Sequence, residues 1–231
     1  MKTIYLLSGL LCDDVVWRRQ AEALRRRGDC EVRIVSFQNE DSISAMAATV
    51  LRDAPAEFLL AGHSMGGRVA LEVYRQAAPR ISRLALLDTG YEAAVAGEPQ
   101  QRAVLVNQAQ EQGIDAIAAT WALPMLAPAH RHQPQLVQEM LQMVGRMSPQ
   151  IYAGQTRALL GRPDATPVLA TITCPTLILC GADDGWSPPE RHARMAALVK
   201  GSNLLVIPAC GHMSTMEQSD AVSQALLDWA A

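Results

Sequence analysis

Phe58-Leu59-Leu60-Ala61 runs into Gly62-His63-Ser64-Met65-Gly66-Gly67, and Val69, Val73 and Ala77 follow at helical spacing before Pro79. The apolar run reads as a buried strand, and the four-residue spacing as one face of a helix. Between them a glycine stands two residues before Ser64 and another two residues after it. A chain that turns from strand to helix within so few residues brings its two arms close together beside the serine, and only small residues fit there. Ser64 then sits at the tip of the turn, at the N-terminus of a helix whose dipole favours developing negative charge. It is the candidate nucleophile. His63 should point elsewhere from such a turn, as a packing or pocket residue.

The same alternation of short apolar runs and amphipathic stretches extends outward on both sides, the pattern of βαβ units around a parallel sheet. Tyr5-Leu6-Leu7 is a first strand, followed by a helix over 14–27 that turns Trp17 and Leu24 inward. Val32-Arg33-Ile34-Val35 is a second, and Ile43, Met46, Ala47, Val50 and Leu51 mark a helix capped by Asp41 or Ser42. Leu84-Ala85-Leu86-Leu87 is the fourth strand. From about 91 to 170 the pattern is helical throughout. Strands resume at Thr176-Leu177-Ile178-Leu179 and Leu204-Leu205-Val206-Ile207. A helix opened by Pro188-Pro189 lies between them, and a closing helix carries Val222, Leu226 and Trp229.

A serine hydroxyl is a weak nucleophile at neutral pH and needs a base, usually a histidine oriented by a carboxylate. Gly181-Ala182-Asp183-Asp184-Gly185-Trp186-Ser187-Pro188 leaves the carboxyl end of the fifth strand, where parallel-sheet enzymes place their chemistry. Both Asp183 and Asp184 are candidates for the acid. Asp88, at the end of the fourth strand, is a third. Cys210-Gly211-His212-Met213 follows the last strand, and His212 is the candidate base. His130, His132 and His192 read as surface or pocket residues. No histidine pair has zinc-site spacing, and a serine–histidine–carboxylate mechanism needs neither a metal nor an organic cofactor, so none is expected.

Composition narrows the remaining classes. A chain of 231 residues, 49% hydrophobic, suits one cored α/β unit. A formal charge of -3 leaves no basic footprint for nucleic acid, and Arg25-Arg26-Arg27 reads as a solvated helix end. The five cysteines are scattered without a C-x-x-C pair, which suits a reduced, cytoplasmic setting. The opening residues are better read as a strand and loop than as a secretory signal, and no run is long enough to span a membrane.

Ser8-Gly9-Leu10 through Trp17, Gly62 to Gly67, Gly181 to Pro188 and Gly211-His212 together resemble the α/β-hydrolase superfamily, over essentially the whole chain. The resemblance implies an α/β-hydrolase fold: a mostly parallel sheet of about six strands flanked by helices. Residues 1–90 and 171–231 would form the core and 91–170 a helical cap. It implies a triad in the order Ser64, Asp184, His212, since Asp184 rather than Asp183 stands at the family's spacing. It implies an oxyanion hole from the backbone N–H groups of Met65, after the nucleophile, and Leu10, in the loop after the first strand. Many members carry histidine where this chain has Ser8. The cap should roof the serine, with Trp121, Met125, Met140 and Met143, together with Trp186, as candidate pocket residues. The expected reaction is hydrolysis of a small to medium, largely apolar carboxylic ester through an acyl-enzyme. Thioester, lactone, amide and carbon–carbon chemistry are reachable with the same triad, and a non-catalytic ligand-binding protein is the reading from another class. The expected partner is a small acyl substrate, with a monomer or dimer as the working unit.

Overall fold

The computed structural model describes residues 1–231. The chain order is β1 (Lys2–Leu7), α1 (Arg18–Arg26), β2 (Cys30–Val35), α2 (Ile43–Asp53), β3 (Phe58–His63), α3 (Met65–Ala77) and β4 (Ile81–Leu87). Only helices follow until the sheet resumes: α4 (Glu98–Gln112), α5 (Asp115–Ala122), α6 (Pro134–Gly145), α7 (Pro149–Leu160) and α8 (Thr166–Leu169). Then come β5 (Thr176–Gly181), α9 (Pro189–Leu198), β6 (Asn203–Ile207), α10 (Ser214–Glu217) and α11 (Ser219–Ala230).

The six strands lie in the order β2-β1-β3-β4-β5-β6, and every pairing is parallel. The expected sheet and flanking helices are therefore present. Parallel sheets are covered on both faces, so central strands read as unbroken apolar runs. β3 and β5 are buried at all six positions, whereas the edge strand β2 is mostly half-buried. α1 packs against α11, and α2 against α3. The direction of winding reverses between β1 and β3, and such a switch point opens a crevice at the carboxyl ends of the strands.

Two local details refine the sequence reading. The helix expected over 14–27 begins as a 3-10 turn, Asp14–Trp17, in which the Asp13 side chain accepts the Val15 N–H; α1 follows. Of the two candidate caps of α2, Ser42 fills the role, its hydroxyl accepting from Ala45 N–H at 3.2 Å. One contiguous core of 64 buried residues runs from the sheet into the insertion. Ile117, Trp121, Met140 and Met143 belong to it as fully as Leu6 and Leu60 do. The apolar surface of the insertion is thus continuous with that of the core, while α4 packs on α5 and α7, and α5 on α6.

Candidate active site

The carboxyl ends of β1, β3, β4, β5 and β6 converge on Ser64. Its backbone stands at φ 54° and ψ -116°, a strained conformation for a residue with a Cβ. The surroundings fix it. Ser64 N–H donates to Leu87 O at 2.9 Å, and its carbonyl accepts from Thr89 Oγ1 at 2.6 Å. A Cβ on Gly62 would lie 2.2 Å from Gly66 O, and one on Gly66 2.2 Å from Leu7 O. The glycines flanking the serine are therefore set by backbone contact between strand, helix and β1.

His212 Nε2 lies 2.8 Å from Ser64 Oγ, and its Nδ1 lies 2.8 Å from Asp184 Oδ2. Asp184 Oδ1 accepts from the N–H groups of Trp186 and Ser187, each at 2.8 Å, so both carboxylate oxygens are oriented. Burial opposes charge on Asp184, but the His212 imidazole and these donors hold its carboxyl below the ordinary value. Burial likewise opposes the imidazolium of His212, yet Asp184 outweighs it and raises the histidine above its usual 6.5. The side chain of Asp183 is exposed, and its backbone N–H ties the acid loop to Cys210 O at 2.8 Å.

Asp88 is fully buried but bonds elsewhere: it takes the Ser214 hydroxyl and, at 3.1 Å, the Gly181 N–H. Burial, reinforced by the charge of Asp184, pushes its carboxyl well up and favours the protonated form. His63 is buried beside it. Burial pushes its imidazole down to about 4, which leaves it neutral at neutral pH. Its Nε2 sits 2.8 Å from His212 O, and a carbonyl only accepts, so the proton is on Nε2. His63 thus holds the backbone of His212.

The loop after β1 carries a second left-handed residue, Leu11, at φ 55°. Its N–H donates to Gln155 Oε1 of α7 at 2.8 Å, and the Gln155 amide donates to Phe37 O. The Ser8 hydroxyl donates to Asp13 O at 3.0 Å and accepts from Ser36 at 3.3 Å. The N–H groups of Leu10 and Met65 have no acceptor within the protein.

A cavity of about 450 Å³ opens over Ser64 and His212. Leu10, Trp121, Met125 and Trp186 form part of its wall. Met140 and Met143 do not reach it: both are fully buried on α6, where they pack in the core. Arg68, Glu92, Glu98 and Arg162 also line the cavity, and the sequence singled out none of them. Nor did it single out Thr89, Gln155 or Glu217. His192 is no surface residue: it is fully buried and its Nε2 accepts from Thr89 N–H at 3.1 Å. Thr89 also accepts the Ser187 hydroxyl at 2.6 Å, which links elbow, acid loop and α9. The Glu217 carboxylate accepts from Gly211 and Met213 N–H in the histidine loop. From the insertion it takes Ala127 N–H and, at 2.8 Å, His130 Nδ1. A signal for Thr89 existed in its place at a strand end; nothing local marks Gln155 or Glu217. No group of three or more histidine, cysteine, aspartate or glutamate side chains is arranged to hold a metal ion.

A strained serine between a parallel strand and a helix, hydrogen-bonded to a histidine that faces a buried carboxylate, is an arrangement of a defined fold family. The chain belongs to the alpha/beta hydrolase family, whose model matches residues 4–225. It is similar to the 2-hydroxy-6-oxo-6-phenylhexa-2,4-dienoate hydrolase of Burkholderia cepacia, 26% identical over 216 residues, 86% of this chain and 72% of that one. Among solved structures it resembles a thermophilic esterase from Thermogutta terrifontis, 28% identical, TM-score 0.88, covering 100% of this chain and 89% of the other. It shares the fold of the enol-lactonase from Burkholderia xenovorans at 21% identity, TM-score 0.86, with 99% and 91% covered.

Proposed function

We propose that this hydrolase is a serine esterase that cleaves a small to medium carboxylic ester through an acyl-enzyme. The observation that carries the reading is the unbroken path from Ser64 Oγ through both nitrogens of His212 to Asp184, with 2.8 Å at each contact. His212 Nε2 takes the Ser64 proton as Oγ attacks the ester carbonyl, and Asp184 stabilises the imidazolium that forms. The carbonyl oxygen, now negative, is met by the N–H groups of Leu10 and Met65, which have no other acceptor. Collapse expels the alcohol, which takes the proton from Nε2. Water then attacks the acyl-serine, gives its proton to Nε2, and Ser64 regains it as the acid leaves. The helical insertion serves as the cap that roofs this centre, with Trp121 and Met125 on its inner wall.

The test is mass spectrometry of the intact protein after a fluorophosphonate probe, run beside p-nitrophenyl esters of graded chain length. One adduct, on Ser64, with ester turnover is the expected result. Labelling without turnover would move the substrate to another acyl or a carbon–carbon bond. The absence of both labelling and turnover would end the reading.

A further inference from the structure

The cavity wall carries more positive charge than it neutralises. Glu98 is bracketed by Arg162 at 2.7 Å and Arg102 at 2.9 Å. The carboxylate of Glu92 faces Arg191 at 3.3 Å and Arg194 at 4.0 Å. Both acids are thus taken up by other arginines. Arg68 is left over: the only hydrogen bond of its guanidinium runs 2.8 Å to the backbone carbonyl of Glu92, and no carboxylate lies within ion-pair distance of it. The side chain is half-buried and lines the cavity. Burial and the neighbouring Arg162 and Arg191 push its guanidinium down to about 9, against the opposing charges of Glu92 and Glu98. Its place is built. A Cβ on Gly90 would lie 2.6 Å from Arg68 Nη2 and 3.3 Å from Arg191 Cδ, so glycine leaves room for the guanidinium there. Arg68 also stands four residues after Ser64, about 6 Å along the axis of α3. A guanidinium fork matches a carboxylate in geometry as well as charge.

We propose that the Arg68 end of the cavity is a carboxylate subsite, so that the preferred ester bears an ionised carboxylate a short spacer away from the scissile carbonyl. This rests on the esterase reading for its turnover but not for its binding. The apolar wall near Trp121 and Met125 then holds the spacer or the leaving group, and the free guanidinium fixes which way the ester lies. The substrate class is the half-ester of a dicarboxylic acid.

The experiment compares p-nitrophenyl pentanoate with the mono-p-nitrophenyl ester of glutaric acid, which share a chain length and differ by one terminal carboxylate. The ratio of kcat/KM is measured for the parent, Arg68→Gln and Arg68→Lys, after subtraction of the uncatalysed rate. The parent should favour the anionic ester by about tenfold or more, the scale of one charge-assisted pair. Arg68→Gln should bring the ratio to about one, and Arg68→Lys should keep part of it. A parent ratio near one, or a ratio that Arg68→Gln leaves unchanged, overturns the subsite. Phosphonate labelling of each variant shows that it has folded. Calorimetric titration with glutarate alone needs no turnover: heat with the parent and none with Arg68→Gln supports the subsite, and no heat with either overturns it. If the parent neither labels nor cleaves either ester, the esterase reading fails, and the glutarate titration decides the subsite by itself.

Discussion

Two regions meet over Ser64, the carboxyl edge of the sheet and the helical insertion after β4, and they specify their functional residues by different rules. At the sheet edge each residue follows directly from a strand end: Ser64 after β3, Asp88 after β4, Asp184 after β5, His212 after β6. The strand fixes where the loop begins, and the loop is short, so position in sequence nearly determines position in space. In the insertion, Gln155, Arg162 and Met125 arrive by helix packing, and their neighbours lie far away in sequence, 144 residues for Gln155 and Leu11. The difference separates chemistry that is written locally from chemistry that exists only after the chain has packed.

The sharpest way to break this contrast is at the nucleophile. Ser64→Ala should lower kcat on the order of a millionfold while the melting temperature holds, measured by p-nitrophenyl ester turnover and calorimetry. Next comes the choice at the acid loop. Asp184→Asn should cost about ten-thousandfold in kcat, because His212 loses the partner that sets its tautomer. Asp183→Asn, with an exposed side chain, should stay near the parent rate. The reverse ranking would move the acid.

For the insertion, Gln155→Ala removes the acceptor of Leu11 N–H and the donor to Phe37 O. It should lower kcat about ten- to hundredfold by displacing the loop that carries Leu10, and lower stability by roughly 1–3 kcal/mol. An unchanged kcat would mean that the loop after β1 holds its shape without α7. The pH profile sharpens the comparison further. In the proposed mechanism His212 acts as base when neutral, and Asp184 raises it, so kcat/KM should fall about tenfold per pH unit below a midpoint that lies above 6.5. A limb centred below 6.5 would show that burial, not Asp184, dominates. Least in activity, Met143→Ala should cost about 2–5 kcal/mol of stability by chemical denaturation and leave KM close to the parent value.

The fold was legible because a parallel sheet buries its strands on both faces, which writes Phe58-Leu59-Leu60-Ala61 and Thr176-Leu177-Ile178-Leu179 as unmistakable runs. The elbow was legible for a steric reason, since Gly62 and Gly66 face backbone on every side. Met140 and Met143 were misplaced because an apolar residue at helical spacing marks a buried face without saying whether that face meets a cavity or another helix. Arg68 was invisible for the opposite reason. One arginine on an amphipathic helix reads as a solvated cation until Gly90, Glu92 and Arg162 close around it.

Glu217 also joins the two regions, and the join has a mechanical meaning. One carboxylate holds Gly211 and Met213 beside the histidine, and Ala127 and His130 in the insertion. His212 N–H adds a bond of 2.8 Å to Met125 O. These shared bonds couple the segments, which should open and close as one cooperative unit. In native-state hydrogen exchange the amides of Gly211, His212, Met213 and Ala127 should share a single opening free energy.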